Sequence, residues 1–570
     1  MSASDGAPSP AELGLAAAAP GLGSRRAILF LLIILLAGFV LRLTWWLTET
    51  PVISLEGAEY VRMAENLFAG HGLVGNFEGP ETMYTPLLPV LTAAAMVLVH
   101  DGRLAGQLVA LAFGIALIPV AYFLARLLYG TRVALIAAAL VAAHPVLVKL
   151  SGSIYTESVY VTFFLAAIFF GLRALELRRL VDAALTGGLF GLAYLTRPEA
   201  FAYPLFFAFV FCACGFVRKS WRRGAAAAFL TLAIFALLAA PYVAYLDVET
   251  GSPRLEGKWN INYTMAQNFR AGMSDFEGRY GVKPDLTLEG PLLAPYRFAA
   301  FTPYPHGTMD KLKTLLFMAK RQKDGVYDNL VSPSLGSPLL LVLVVIALFR
   351  GAWSNRRLAQ ESILLVMALS IIVLMLTGPG LMFRFLFPLV PLFLIWAAKG
   401  LDEFRDWVRG AETAGPSRRA FMPRPAAVAA ALQLGVVATM IVFSAWSSRT
   451  EFEFAIEQSS AAMAERDAGL WLAQRHPETK RIATRFVMLP YYARGTLINL
   501  PYADETTTLR YIAQKQIDYV VVENVFARSF PVIQQWLARG IPDPHAHRIY
   551  DHADAAGDRV AIYAWARDGA

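Results

Sequence analysis

The sequence predicts a polytopic α-helical membrane protein with about eleven transmembrane helices and a small soluble α/β domain at its C-terminal end. Of the 570 residues, 56% are hydrophobic and only 16% are charged, whereas a soluble chain usually carries about 25% charged residues. The apolar residues lie in long runs, as in a chain that crosses a bilayer repeatedly. This composition excludes a collagen-like chain, a disordered chain, a secreted disulfide scaffold and a cytosolic enzyme.

The predicted transmembrane domain covers residues 25–446 and follows a polar segment, 1–24, which we predict to be a disordered cytoplasmic tail. A further apolar run, 86–100, begins with two prolines and as a helix would measure only about 22 Å, short of the roughly 30 Å hydrocarbon core. The eleven clear apolar runs are 27–47, 104–127, 133–150, 158–173, 181–196, 200–217, 224–246, 337–349, 362–378, 384–398 and 427–446.

The positions of the basic residues decide whether 86–100 crosses the membrane. If it does not cross, clusters such as Arg25–Arg26, Arg218–Lys219 and Arg418–Arg419 all lie on the cytoplasmic side, as the positive-inside rule requires. We therefore predict a juxtamembrane helix at 86–100 and a cytoplasmic N-terminus in a multi-pass protein of the cytoplasmic membrane. The net charge of +8 then reflects orientation in the membrane, and we expect no nucleic-acid partner.

Three segments are predicted on the outer, periplasmic face: loops 48–103 and 247–336, and the C-terminal domain 447–570. The first loop also contains the amphipathic segment EGAEYVRMAENLFAG. In the tail, helical periods alternate with apolar runs, which predicts a small α/β domain. The predicted order is helix 459–475, strand 481–486, strand 495–500, helix 505–516, strand 518–523, helix 531–539 and strand 559–565.

Several charged residues near the predicted outer face have no role in membrane orientation. Glu56, Glu59 and Glu157 each stand at the start of a predicted helix, where the helix dipole favours an acid. Arg197 and Glu199 flank Pro198 in the turn between two spans and form a possible structural latch.

Two arginines lie among apolar residues at the outer ends of spans. Arg384, in GLMFRFLFPLVP, and Arg42, in the outer third of the first span, either extend to lipid headgroups or hold a phosphate. Arginines at that depth suit a lipid-linked phosphate, and a nearby carboxylate suits general-base catalysis on a hydroxyl.

The chain resembles the GT-C superfamily of membrane glycosyltransferases, and within it glycosyltransferase family 39, the protein O-mannosyltransferase and lipid A aminoarabinose transferase type. The resemblance covers roughly residues 27–400, and the tail, with WLAQRHPETKRIA and IDYVVVEN, resembles the outer domain of many bacterial members. The motifs that carry it are LEGAEYVRMAENLFAGHGL, YTPLLPVL, LARLLYG, the TE of YTESVYVTFF, LTRPEA and RFLFPLVPLFLIWAAKGL.

The resemblance implies sugar transfer from a polyprenyl-phosphate-linked donor to a hydroxyl of a lipid, glycan or protein acceptor on the outer face. It implies that Glu56 is the catalytic base, with Glu59 as the fallback, and that Glu157 is the second catalytic acid. Gly57 stands where many members have a tandem acid, and Thr85 where some have a phosphate-binding lysine. No metal or other cofactor is expected. The implied substrate-binding residues are Glu59, Tyr60, Tyr84, Arg197, Glu199 and Arg384.

Three alternatives remain open at this point. An oligosaccharyltransferase-like enzyme would use a metal and a pyrophosphate donor. A GT-C homologue that has lost catalysis would explain Gly57 and Thr85. A transporter would place its charges near the membrane midplane on broken helices and often show internal repeats, whereas here the charges lie near the outer surface and no repeat is visible.

Overall fold

The architecture is that of a computed structural model of the whole chain. We describe the residues whose positions the structure defines, which include most of the apolar runs and most of the C-terminal domain. These are 24–300, 307–332, 337–350, 353–378, 383–410, 459–478, 480–524, 529–554 and 557–566, with short stretches between 431 and 446.

Helices dominate the chain up to residue 410. In order they are α1 (Ser24–Glu49), α2 (Leu55–Phe68), α3 (Leu87–Val99), α4 (Gly102–Tyr129), α5 (Thr131–Ala143), α6 (Pro145–Leu150), α7 (Glu157–Leu177), α8 (Leu180–Thr196), α9 (Ala202–Val217), α10 (Trp221–Thr250), α11 (Trp259–Arg270), α12 (Asp275–Tyr280), α13 (Pro295–Ala300), α14 (Thr308–Val331), α15 (Ser337–Phe349), α16 (Asn355–Thr377) and α17 (Leu389–Gly410). Short 3₁₀ turns occupy Pro198–Phe201, Pro291–Leu293 and Phe383–Leu386.

The apolar helices form one bundle, which confirms the predicted fold class. Among the described residues, six helices are long and apolar enough to cross a membrane, and four more are apolar but shorter. They share one continuous core, in which α4 packs on α5 and α7, α8 packs on α7 and α10, and α15 packs on α17. The count of eleven spans stays a prediction, because 427–446 falls largely outside the described residues, as does the tail 1–24 apart from Ser24.

Two of the predicted runs have a different shape in the structure. The run 133–150 is not one helix, because it breaks at His144 into α5 and the six-residue α6. Pro145 causes the break, since it has no N–H to donate and its ring excludes the carbonyl four residues earlier. The run 384–398 begins as a 3₁₀ turn, and its helix, α17, continues to Gly410, well beyond the last apolar residue of the run.

The break also explains Arg42, for which the sequence-based expectation was wrong. The side chain is fully buried and neither reaches the headgroups nor faces a ligand. Its guanidinium donates to the carbonyls of Val141 (3.2 Å) and Ala142 (2.8 Å), which the break at Pro145 leaves without helical partners. Its Nε donates to Ser151 Oγ at 3.1 Å. Arg42 therefore caps a broken helix inside the bundle.

The first outer loop folds into α2 and α3, which pack on each other and on α4. The segment predicted as a juxtamembrane helix at 86–100 is α3, whose 13 residues span about 20 Å as a helix. That length agrees with a helix that does not cross. Its position relative to the membrane stays a prediction.

The described residues of the C-terminal domain contain a five-stranded mixed sheet in the order β2-β1-β3-β5-β4, in which β2, β1 and β3 are parallel and β5 runs antiparallel to both of its neighbours, β3 and β4. Alternate residues of β3 face opposite layers: Val520 packs with α20 and α21, and Val521 with α18 and α19. The elements are α18 (Ser460–Arg475), β1 (Arg481–Thr484), α19 (Met488–Tyr492), β2 (Thr496–Asn499), α20 (Glu505–Gln514), β3 (Tyr519–Glu523), α21 (Pro531–Arg539), β4 (Ala546–Ala553) and β5 (Arg559–Trp565).

This domain contacts both outer loops. Leu497 in β2 donates its N–H to the carbonyl of Asn76 at 2.7 Å, so the first loop adds to the free edge of the sheet. Arg481 binds Glu78 at 2.8 Å beside this contact. Asn499 donates to the carbonyl of Leu292 in the second loop at 2.7 Å. The domain therefore holds both loops over the outer ends of the helices.

We predict that Arg42→Ala destabilises the bundle by roughly 2 kcal/mol or more, because two buried carbonyls lose their donors. Thermal unfolding of the purified protein in lipid measures this, and Arg25→Ala, at an exposed position of α1, is the control. A variant that unfolds like the wild type would contradict the capping role.

We also predict that a cysteine at Asp101 lies outside the membrane. In a chain with Cys212 and Cys214 replaced by alanine, Asp101→Cys should react with a membrane-impermeant maleimide added to the outer face, because 86–100 does not cross. Arg222→Cys should react only from the inside. Labelling of Asp101→Cys from the cytoplasm alone would show that α3 crosses.

Candidate active site

Five of the predicted site residues meet at the outer ends of the helices: Glu56, Glu157, Arg197, Glu199 and Arg384. They come from four separate parts of the chain. Glu56 lies in the first turn of α2 and Glu157 opens α7. Arg197 and Glu199 lie at the turn between α8 and α9, and Arg384 lies in the 3₁₀ turn before α17.

Local structure fixes the position of Glu56. Ser54 caps α2, and its Oγ accepts the N–H of Gly57 at 3.1 Å. The same hydroxyl donates to the carbonyl of Ile154 at 2.8 Å, which ties α2 to the segment that leads into α7. A Cβ on Gly57 would lie 3.0 Å from that carbonyl, so a larger residue would push the helix away. The glycine that replaces a tandem acid therefore allows close packing here.

The five charges alternate in sign along a connected chain of ion pairs. Arg384 binds Glu56 through both Nη atoms, with Nη1 at 2.8 Å from Oε2. The same Nη1 lies 3.6 Å from Glu157 Oε1. Arg197 donates to that Oε1 at 2.8 Å and binds Glu199 through its Nε. Arg384 is therefore the bridge between the first outer loop and α7.

Burial differs sharply along this chain. The side chains of Glu157 and Arg384 are 0% and 2% exposed, whereas that of Glu56 is 21% exposed. Phe385 lies between the two guanidiniums, with Arg197 at 4.8 Å and Arg384 at 5.2 Å from its ring centre. Stacking of this kind favours a charged guanidinium. The arginines and Glu157 are thus largely enclosed, whereas the two acids at the ends of the chain of ion pairs, Glu56 and Glu199 (18% exposed), are partly open.

Burial and Arg384 act in opposite directions on the pKa of Glu56. Burial by itself would raise the pKa of this carboxyl. The charge and hydrogen bonds of Arg384, helped by Lys258 and Arg197, outweigh that effect and lower the pKa to about 2. Glu56 is therefore ionised at neutral pH, but as long as Arg384 holds it, it is a weak base.

Glu59 belongs to a different network. Its carboxylate accepts the backbone N–H of Asn76 at 2.9 Å and the side-chain Nδ2 at 2.9 Å, and it is buried beside Glu81. Glu81 in turn accepts the N–H groups of Met83 (2.6 Å) and Tyr84 (2.9 Å). These two acids shape the loop, and the geometry does not favour Glu59 as a fallback base.

Tyr60 and Tyr84 lie together, within electrostatic reach of Glu56. Their rings meet edge to face with centroids 5.2 Å apart, and the charge of Glu56 acts on both hydroxyls. Thr85, the position of a lysine in some resembling enzymes, donates its hydroxyl to the carbonyl of Thr196 at 2.5 Å and is buried. It supplies no charge to the site.

Sequence reasoning missed Glu81, Tyr155 and Lys258. Tyr155 lies under Arg384, 5.1 Å from its guanidinium, and the Nζ of Lys258 lies 4.5 Å from the centre of the Tyr84 ring. Nothing in the spacing of these residues distinguishes them from ordinary loop positions. In the part of the chain that the structure describes, no three His, Cys, Asp or Glu side chains are placed to hold a metal ion. The independence from metal stays a prediction.

Comparison with known proteins identifies the fold. Residues 83–245 match the dolichyl-phosphate-mannose-protein mannosyltransferase family, and no curated protein matches the sequence. The apo oligosaccharyltransferase of Archaeoglobus fulgidus superposes with a TM-score of 0.60 at 16% sequence identity, covering 96% of this chain and 75% of that one. ArnT of Cupriavidus metallidurans, bound to undecaprenyl phosphate, gives a TM-score of 0.53 at 14% identity, with coverages of 95% and 98%.

The chain has the fold of these membrane glycosyltransferases, and its residues 83–245 match a glycosyltransferase family. This confirms the resemblance inferred from the sequence motifs and the assignment as a glycosyltransferase. In this fold the charge cluster lies where α2, α7, the α8–α9 turn and the start of α17 converge. The roles of its individual residues are taken up below.

The Glu59–Glu81 pair predicts a pH dependence of stability. Burial, and then the charge of Glu59, raise the pKa of Glu81 to about 8. The folded protein therefore keeps a proton that the unfolded chain releases near pH 4.5. The stabilisation is fully present below that pH and is lost as the pH rises through about 8.

Unfolding temperatures measured from pH 5 to pH 8.5 should therefore fall in the wild type, and the fall should be smaller in Glu81→Gln, which keeps an acceptor for Met83 and Tyr84. Glu78→Gln, on the surface of the same loop, should retain the wild-type decline. An unchanged decline in Glu81→Gln would contradict the assignment of the proton to this pair.

Proposed function

We propose that the protein transfers a sugar from a polyprenyl-monophosphate-linked donor to an acceptor hydroxyl on the outer face of the cytoplasmic membrane. One observation carries the proposal: the guanidinium of Arg384, buried against aromatic rings, is bound by both Nη atoms to Glu56, the most exposed acid of the cluster. A phosphate and a carboxylate fit the same planar fork.

The leaving group is assigned to Arg384. A phosphate that enters from the Glu56 end can take over the fork while Glu157 keeps the arginine in place from behind. Two solved structures support a lipid phosphate as the ligand, since ArnT is bound to undecaprenyl phosphate, and AglB of Archaeoglobus fulgidus is in complex with an inhibitory peptide and a dolichol-phosphate.

The base is assigned to Glu56, and donor binding activates it. In the free site the ion pair with Arg384 keeps its proton affinity low. When the phosphate engages Arg384, Glu56 loses its counter-charge and its pKa rises. It then accepts the proton of the acceptor hydroxyl as that oxygen attacks the anomeric carbon. The bond between the anomeric carbon and the phosphate oxygen breaks, and the phosphate leaves with the electron pair.

Glu157 acts through the arginines in this scheme. Its side chain is fully buried, and one oxygen lies within 3.6 Å of both Arg384 and Arg197. This geometry favours a positioning role over direct contact with the sugar. Arg197 and Glu199 extend the same chain of ion pairs, and the paired rings of Tyr60 and Tyr84 would bind the sugar or the acceptor beside Glu56.

Of the open alternatives, the oligosaccharyltransferase-like enzyme is the one that a specific observation favours, because the fold superposes on such an enzyme with a TM-score of 0.60. The two reactions differ in donor and in metal. A polyprenyl-monophosphate sugar used in the presence of EDTA supports our proposal, whereas a requirement for a divalent ion and a pyrophosphate donor supports the alternative.

We propose that the acceptor is a glycan, lipid or protein of the cell envelope, and that the N-terminus is cytoplasmic and the C-terminal domain periplasmic. The basic clusters between the apolar runs support this orientation. Deletion of the gene, followed by thin-layer and mass-spectrometric comparison of envelope glycolipids and glycoproteins, identifies the product that disappears.

The decisive variants concern the two first-loop acids. We expect Glu56→Gln to lose about 10²–10⁴-fold in transfer rate, the usual contribution of a general base, while Glu56→Asp retains activity because it keeps a carboxylate. Glu59→Gln should keep transfer, since Glu59 faces Asn76.

Arg384→Ala should lose donor binding, and Arg384→Lys should recover only part of it because a point charge replaces the fork.

Sugar transfer by purified variants in lipid measures these rates, with unfolding followed in parallel. A Glu59→Gln variant that is inactive but folded, beside an active Glu56→Gln, would move the base to Glu59. If Glu56→Gln and Glu59→Gln both keep full activity, the proposed mechanism is wrong. That result would favour a transporter or a homologue that has lost catalysis.

A further inference from the structure

Lys258 brings a positive charge to the active site that the scheme above does not use. It lies in the second outer loop, directly before α11. Its Nζ lies 4.5 Å from the centre of the Tyr84 ring, and the side chain is half-buried. Within the described residues, no carboxylate lies at ion-pair distance from this ammonium and no hydrogen bond fixes it. Its charge therefore lies beside the Tyr84 ring, close enough to act on Glu56.

Two contacts hold the backbone beside Lys258 in place. The hydroxyl of Tyr194, on α8, donates to the carbonyl of Leu255 at 2.6 Å. Gly257 packs so closely on the first loop that an added Cβ would lie 1.7 Å from the carbonyl oxygen of Thr82. No side chain fits there. The second loop is therefore fixed to α8 at Leu255 and to the first loop at Gly257.

The charge balance of the cluster leaves a place for this ammonium. Three carboxylates, Glu56, Glu157 and Glu199, face only two guanidiniums. Glu256 lies near as well, but burial, and then the charge of Glu199, raise its pKa to about 7. A site with an excess of negative charge repels an anionic donor. The electrostatic influence of Lys258 reaches both Glu56 and Glu256, so it acts at the end of the cluster where the phosphate enters.

We infer that Lys258 is a second phosphate-binding residue, which contacts the donor phosphate from the second outer loop. The inference rests on the proposed function. A sugar linked through a phosphodiester carries one negative charge, and the departing polyprenyl phosphate carries nearly two at neutral pH. An ammonium aimed at that oxygen stabilises the charge that develops as the bond breaks. Arg384 alone has its charge already shared between two carboxylates.

The experiment measures binding of undecaprenyl phosphate, and of uncharged undecaprenol, to the purified full-length protein in zwitterionic lipid. We expect Lys258→Ala and Lys258→Gln to weaken binding of undecaprenyl phosphate by about tenfold and to leave undecaprenol unchanged. Lys258→Arg should restore most of the affinity. Lys283→Ala is the matched control, because Lys283 lies in the same loop and pairs with Glu289. Equal affinity of Lys258→Ala and wild type for undecaprenyl phosphate would overturn the inference.

Further measurements distinguish a lipid-linked phosphate from bulk headgroups, and a failure of the inference from a failure of the proposed function. If Lys258→Ala changes binding only when the bilayer contains phosphatidylglycerol, Lys258 contacts bulk headgroups and the inference is wrong. If Arg384→Ala abolishes binding of undecaprenyl phosphate and Lys258→Ala does not, the inference alone fails. If the wild type binds undecaprenyl phosphate no better than undecaprenol, the proposed function fails with it.

Discussion

The bridge that Arg384 forms between Glu56 and Glu157 is the interaction on which the site depends. It joins residues that lie 101 and 328 positions away from Glu56 along the chain, so it exists only when α2, α7 and the start of α17 have all docked. Buried ions cost free energy that their attraction only partly offsets. The buried ion pair is therefore weak evidence for stability, and the proposed function assigns its arginine to a phosphate that would replace the partly exposed Glu56.

Arg42 and Arg384, both buried, show how the partners of a guanidinium decide its role. Arg42 meets backbone carbonyls and a hydroxyl, all of which are fixed parts of the fold. Arg384 meets a carboxylate that stays partly open to the cavity. A neutral, fully enclosed set of acceptors holds an arginine permanently, whereas an exposed anionic partner can be exchanged for another anion.

The C-terminal domain influences the site through the first outer loop. Its edge strand β2 donates a hydrogen bond to the carbonyl of Asn76, and the N–H of Asn76 donates to Glu59. The neighbouring Glu81 accepts the backbone N–H of Tyr84. Tyr84 in turn lies beneath Lys258. The domain is therefore connected to Tyr84 and Lys258 through hydrogen bonds of the first loop, whereas Arg384 and Glu157 lie on the helical bundle.

The sequence by itself determined the elements that depend on local free energy. Apolar runs predicted the membrane helices, and alternating patterns predicted the C-terminal elements apart from α19 and the mostly exposed edge strand β4, whose polar sequence AHRIYDHA carries no core signal. The charged residues at the outer helix ends were also visible, because an acid or arginine beside an apolar run needs a partner.

Only the tertiary structure decided which partner each charge has. Local hydropathy does not distinguish Arg42 from Arg384, or Glu56 from Glu59. It depends on the neighbours in sequence and is the same whichever distant group the side chain contacts. Long-range packing separates them: the break at Pro145 exposes carbonyls to Arg42, and the turn of α2 aims Glu56 at Arg384 and Glu59 at Asn76. Lys258 reaches the site only because Gly257 allows two distant loops to touch.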